Sequence, residues 1–141
     1  MQIITVRQHS KKELIEKLKK KYPENQELIA PTIERLLELK YLDDDVYADA
    51  LTRNRLKIKK KGLFWIKSEL KMKGIKEQKI QDILENYQEE ETESLGEAIR
   101  KKLSTLKNDL SIHEKKQKLA AYLQRRGYPL EKILHALNNS L

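Results

Sequence analysis

The chain has 141 residues, 37% of them charged and 38% hydrophobic, with a formal net charge of +8 at pH 7 and a pI near 9.5; this length holds one domain or a short repeat array and excludes a large two-lobed enzyme. Only 4 Gly and 3 Pro punctuate it while helix formers abound, so the expected class is all-α. It has no cysteine and no apolar run approaching the roughly 20 residues that span a bilayer, which excludes disulfides, thiolate metal sites and cysteine nucleophiles and points to a cytoplasmic protein without a membrane partner.

In chain order, Met1 to Val6 is too short for a signal-peptide core, and only Met1 to Gln8 precedes the first helix signal, so a leading helix there would be truncated. Ser10 and Glu13 form a capping-box pattern that opens a helix with Leu14, Ile15 and Leu18 on one stripe. After a connection from Tyr22 to Pro31, Ile33 and Leu37 mark the next helix. Asp43, Asp44 and Asp45 supply an N-cap and first-turn anions for the helix carrying Val46, Ala50 and Leu51; without a cluster of partner ligands, capping outweighs a metal site. Gly74 and Gly127 suit helix ends that need a left-handed residue, and Ser111 with Glu114 repeats the capping pattern before Leu119 and Leu123.

The chain resembles itself. Lys73-Gly74-Ile75, Lys79-Ile80 and Leu84 recur as Arg126-Gly127-Tyr128, Lys132-Ile133 and Leu137 at an offset of about 53 residues, and Ile66 and Leu70 map onto Leu119 and Leu123. Leu14 and Leu18 precede Ile66 and Leu70 by about 52 residues, and the register slips by about five residues between Tyr22 and Pro31 before Ile33 and Leu37 match Ile80 and Leu84. Each unit reads as a long helix, a helix ending near Gly and a shorter helix. About 50 residues bury little alone, so neighbouring units are expected to pack on one another as solenoid repeats do.

Charge is distributed in blocks. Arg53 to Lys73 holds nine basic residues (Arg53, Arg55, Lys57, Lys59, Lys60, Lys61, Lys67, Lys71 and Lys73) against Glu69 alone, whereas Asp82 to Glu97 holds seven acids and no Lys or Arg. Arg supplies planar bidentate donors and Lys point charge, so this stretch suits carboxylates or phosphates; the alternative is a solvated helix surface. By the repeat offset, Phe64 corresponds to Lys12 and Gln117, and Trp65 to Glu13 and Lys118, all polar. The two aromatics are therefore either exposed anchors for a partner or fillers between repeats. Arg125 and Arg126 extend the basic face or serve as helix C-terminal charges favoured by the dipole.

The run Tyr41-Leu42-Asp43-Asp44-Asp45-Val46-Tyr47-Ala48, followed by Lys61-Gly62-Leu63-Phe64-Trp65-Ile66-Lys67-Ser68-Glu69-Leu70-Lys71-Met72-Lys73-Gly74-Ile75, resembles the central signature of RecX proteins. Val6-Arg7-Gln8-His9-Ser10-Lys11-Lys12-Glu13-Leu14 and Leu119-Ala120-Ala121-Tyr122-Leu123-Gln124-Arg125-Arg126-Gly127-Tyr128 resemble its flanking repeats, so nearly the whole chain is covered. The resemblance implies tandem three-helix repeats in an elongated, curved array, here at 1–42, 43–92 and 93–141. It also implies a monomer that binds the RecA recombinase filament on single-stranded DNA, along its helical groove, and suppresses strand exchange, ATP hydrolysis and the SOS coprotease role of RecA. Tyr22, where the other repeats have Gly, and the short leading segment depart from the pattern.

Enzyme chemistry finds no footing. His9, His113 and His135 lack paired ligand spacing, no Gly-rich loop with Lys follows a strand, and no cofactor is expected. Two other readings stay open: a nucleic-acid-binding module, since a three-helix unit with a basic helix is also how helix-turn-helix readers are built, and a helical scaffold without a filament role. Against base reading, Asn54 is the only Asn or Gln between Arg53 and Lys73.

Overall fold

A computed structural model describes residues 9–141, and within them the structure is helical without strands. The expectations for Met1 to Val6, for a truncated leading helix before Ser10 and for the Val6-Arg7-Gln8 part of the resemblance lie outside the described residues. Eight α-helices occur among the described residues: α1 (Lys11–Lys21), α2 (Ile29–Glu38), α3 (Asp44–Lys57), α4 (Leu63–Met72), α5 (Glu77–Asn86), α6 (Gln88–Leu103), α7 (Ile112–Arg125) and α8 (Leu130–Ser140). A 3-10 segment, Pro23–Leu28, joins α1 to α2. None of these helices is long and apolar enough to cross a membrane.

The capping chemistry read from the sequence forms. The Ser10 hydroxyl accepts the Glu13 N–H at 3.2 Å while the Glu13 carboxylate accepts the Ser10 N–H at 3.3 Å, a reciprocal box that satisfies two donors the helix itself cannot. Ser111 accepts the Glu114 N–H at 3.1 Å. Asp43 accepts the N–H groups of Asp45 and Val46 at 2.9 and 3.2 Å, so this acidic run is a helix cap.

Helix ends also repeat. Gly74 and Gly127 have φ of +79° and +94°, and the residues after them return N–H groups to Leu70 and Leu123, five positions back, at 3.1 and 3.2 Å. The same closure ends α2, with Tyr41 N–H on the Leu36 carbonyl at 2.9 Å, but there the left-handed residue is Lys40 at φ +59°. Tyr22 takes no left-handed turn; at φ −126° it bonds Leu18 and the chain passes directly into the 3-10 segment.

The residues group into two compact units. One holds the chain up to Leu51 together with Glu69–Gln81; the other holds Thr52–Ser68 together with Asp82–Leu141. The core of the first is built from Leu14, Ile29, Ile33, Leu36 and Leu42, with Ile15 and Leu18 packed against it. Asp44 accepts the Lys11 N–H at 2.7 Å, and Lys73 and Lys79 pair with Glu13 and Asp49 at 2.9 and 3.1 Å. The core of the second is Leu95, Ala98, Ile99, Leu119, Leu123, Tyr128, Ile133 and Leu137.

Several expected core positions shift by one residue. Leu51 is buried as expected, but Val46 and Ala50 are exposed, and α3 buries Tyr47, Ala48 and Leu56 in their place. Ile33 and Ile80 are buried as the repeat requires, but their helix partners are Leu36 and Ile83, while Leu37 is exposed and Leu84 half-buried. Only in α8 do Ile133 and Leu137, spaced by four, both go inside. A spacing of three or of four keeps two residues on one helical face, so the sequence leaves the choice to the packing.

Candidate functional site

The basic residues of the sequence fall on different compact units. Arg53, Arg55, Lys57, Lys59, Lys60, Lys61, Lys67, Arg125 and Arg126 belong to the second unit with Phe64 and Trp65, whereas Lys71 and Lys73 belong to the first. The second unit therefore carries the candidate site, centred on the loop between α3 and α4.

The start of α4 explains why that loop sits where it does. Gly62 precedes the helix and has no side chain to cap it, so the first amides of α4 find acceptors elsewhere in the unit. Gly62 N–H bonds the Arg126 carbonyl at 2.8 Å, Phe64 N–H the Gly127 carbonyl at 3.1 Å, and Leu63 N–H the Glu91 carboxylate at 2.6 Å. The N-terminus of one helix is thus capped by the end of α7 and by an acid of α6. A Cβ on Gly62 would fall onto the backbone of Gly127 and lie 2.5 Å from Tyr128 N; one on Gly127 would lie 2.6 Å from Trp65 Cβ. The two glycines let the segments touch.

Glu91 is 1% exposed, and its second oxygen takes the Lys132 ammonium at 2.8 Å. Beside it, Ser94 donates to the Leu56 carbonyl at 2.6 Å, which leaves the Tyr128 hydroxyl, 2.6 Å away, to donate to Ser94. Burial pushes the Tyr128 phenol up to about 12, against the lowering influence of the Ser94 bond.

Around this frame the predicted residues take distinct roles. Lys57 and Lys59 are exposed, Lys67 is half-buried and Arg125 exposed, and none of the four makes an ion pair among the described residues. Lys60, at φ +53°, turns its ammonium back to the Lys57 carbonyl at 2.7 Å and to the Glu97 carboxylate. The bond and charge of Lys60 hold Glu97 below the usual carboxylate range. Lys61 lies over the Trp65 ring, 3.7 Å from its centroid, a cation–π contact.

Phe64 and Trp65 are 59% and 43% exposed. Arg126 donates from Nε to the Lys60 carbonyl at 3.0 Å and from a terminal nitrogen to the Lys59 carbonyl. Arg53 reaches the Tyr87 hydroxyl at 3.5 Å and Arg55 the Asn54 amide oxygen at 2.6 Å. In the first unit Lys71 is exposed, and Lys73 is committed to Glu13.

The structure thus brings Lys59, Lys60, Lys61, Trp65 and Arg126 together, with Lys57 adjoining. Tyr122 was missed by sequence reasoning, yet Lys102 and Arg126 stand 4.6 and 5.7 Å from its ring centroid. Gly62 and Glu91 were missed as well. A glycine just before a helix with no Ser, Thr, Asp or Asn cap was the available signal that the cap is tertiary.

Residues 43–84 match the family described as RecX, second three-helix domain, and residues 89–137 that described as RecX, third three-helix domain. The chain is 34% identical over 137 residues to the regulatory protein RecX of Pelodictyon phaeoclathratiforme, covering 97% of this chain and 83% of that one. It is 33% identical over 140 residues to that of Bacillus subtilis, 98% of this chain but 52% of the longer relative. Among solved structures, the crystal structure of RecX from Lactobacillus salivarius superposes with a TM-score of 0.74 at 23% identity, over 93% of this chain and 84% of that chain. That likeness speaks to the fold: all-helical, in tandem three-helix repeats.

Proposed function

Since this chain belongs to the RecX family, whose relatives are named regulatory proteins, we propose that it is a non-catalytic, monomeric regulator that binds the RecA filament on single-stranded DNA and lowers its strand exchange, ATP hydrolysis and coprotease activity. The three repeats of this reading run over 1–42, 43–92 and 93–141. The contact surface is the part of the basic stretch that the second unit carries, Arg53 to Lys67, with Phe64, Trp65, Arg125 and Arg126.

The observation that carries the reading is that Lys57, at the end of α3, and Lys59, in the loop that follows, are exposed and without an ion pair among the described residues, while Lys61 of the same loop lies over the half-exposed Trp65 of α4 and the loop's backbone is bonded at several points. Unsatisfied positive charge next to an aromatic anchor suits an acidic protein surface, and a bonded loop loses little freedom on docking. Phosphate contact on the same surface is the second reading, favoured by the cations flanking Tyr122.

The test is RecA's ATPase on single-stranded DNA with this protein added well below the RecA concentration. Progressive loss of ATPase is expected, and full ATPase at every dose refutes the reading. Lys57→Glu with Lys59→Glu should raise the half-inhibitory dose about tenfold, as a loss near 1.4 kcal/mol requires; an unchanged dose moves the contact elsewhere. Duplex DNA titrated at two salt concentrations separates the second reading, because phosphate-driven binding weakens steeply with salt.

A further inference from the structure

Three consecutive lysines, one of them left-handed, are a poor recipe for an ordered loop: like charges repel, and a non-glycine residue at positive φ is disfavoured. Yet Lys59-Lys60-Lys61 is tied down at its backbone. Lys61 N–H bonds the Arg55 carbonyl at 2.8 Å, Gly62 N–H bonds the Arg126 carbonyl at 2.8 Å, and the Arg126 guanidinium bridges the carbonyls of Lys60 and Lys59. With the backbone so placed, the ammoniums are sorted. Lys60 turns inward to Glu97 and the Lys57 carbonyl, Lys61 covers Trp65, and Lys59 is exposed.

We propose that Arg126, from the third repeat, is a positioning residue for the basic loop of the second, and that its charge is spent inward on the Lys59 and Lys60 carbonyls while the loop it shapes meets an acidic protein surface. A planar guanidinium donates here from two nitrogens held in a fixed fork, Nε to the Lys60 carbonyl and a terminal nitrogen to the Lys59 carbonyl; an ammonium is a single point donor on a flexible stem and cannot fix two carbonyls in that geometry. Arginine is therefore required at this position for its shape, and a change that keeps the charge still releases the loop. The inference rests on reading the loop as the partner contact.

The test compares Arg126→Lys and Arg126→Gln with Lys59→Glu in the full chain. Amide exchange at Lys61 and Gly62 and the emission of Trp65, the single tryptophan, report the loop without any partner, while protection of the α7 amides Leu119 and Leu123 reports that the fold is kept. Both Arg126 variants are expected to lose about tenfold protection at Lys61 and Gly62, the effect of one or two hydrogen bonds, and to change Trp65 emission as Lys61 leaves the ring. Both are also expected to raise the half-inhibitory dose toward RecA by similar factors.

Unchanged protection overturns the inference whatever RecA does. Inhibition weakened by Arg126→Gln but intact in Arg126→Lys overturns it in favour of a direct charge contact. If Lys59→Glu weakens inhibition and Arg126→Lys does not, the positioning role alone falls. If neither does, the basic loop is not the contact, and the proposed surface falls together with the inference.

Discussion

Lys132 and Glu91 test how this fold treats a buried charge. The Glu91 carboxylate is 1% exposed and has two partners, the Leu63 amide at 2.6 Å and the Lys132 ammonium at 2.8 Å, while the Lys132 side chain is 27% exposed and also reaches the Gln88 carbonyl at 3.2 Å. Removing Lys132 strands a carboxylate that water cannot reach, a loss of about 3–5 kcal/mol. Removing Glu91 strands an amide, costing about 1–3 kcal/mol, but leaves a lysine that can turn to water. Lys132→Ala is therefore expected to destabilise more than Glu91→Ala, although Lys132 is the more exposed partner. Urea unfolding followed by helical circular dichroism and by Trp65 emission gives both values, and the double variant gives their coupling, expected near 2 kcal/mol. Lys132→Ala costing less than about 1 kcal/mol, or less than Glu91→Ala, refutes the reasoning.

Four further outcomes follow from other sites. Gly62→Ala should cost about 2–3 kcal/mol in urea unfolding, because the obstacle its Cβ meets is the Gly127 backbone, which cannot step aside. Lys40→Gly should stabilise by about 0.5–1 kcal/mol, since it relieves a left-handed lysine at φ +59° but enlarges the unfolded ensemble. Burial pushes the Glu13 carboxyl up, yet hydrogen bonds from Lys73, Tyr47 and the Ser10 N–H outweigh it and leave its pKa below the ordinary 4.5. Its stabilising contribution is thus present above that value and lost as pH falls through the folded pKa, so Glu13→Gln should flatten the acid limb of the stability curve. Tyr128, raised to about 12 by burial, contributes fully below pH 10 and loses that contribution as pH rises toward 12; Tyr128→Phe should flatten the alkaline limb and cost only about 1 kcal/mol, because Ser94 still donates to Leu56.

Local chemistry was legible where the interacting residues are neighbours in sequence. The Ser10 box, the Ser111 and Asp43 caps and the left-handed glycines at 74 and 127 all form within a few residues of themselves, so spacing alone predicts them. The same logic missed the ends closed by Lys40 and Lys60, because a lysine at positive φ carries no local signature and persists only when surrounding bonds outweigh its strain. The basic stretch was visible as composition, but which of its charges are committed was not: Lys60, Lys73 and Arg126 look no different in sequence from Lys59, and their partners lie 37, 60 and 66 residues away.

Sequence by itself therefore determined the all-helical class, the 53-residue repeat, most helix boundaries and the family, all of which rest on periodicity and on contacts a few residues long. Tertiary structure alone decided which of two equivalent apolar positions goes inside and which acceptors cap α4. It also decided that Tyr122 joins the basic cluster and that Arg126 faces the Lys59 and Lys60 carbonyls. Each of these depends on groups brought together from distant parts of the chain, and the energy of such an encounter is set by geometry that no spacing along one helix encodes.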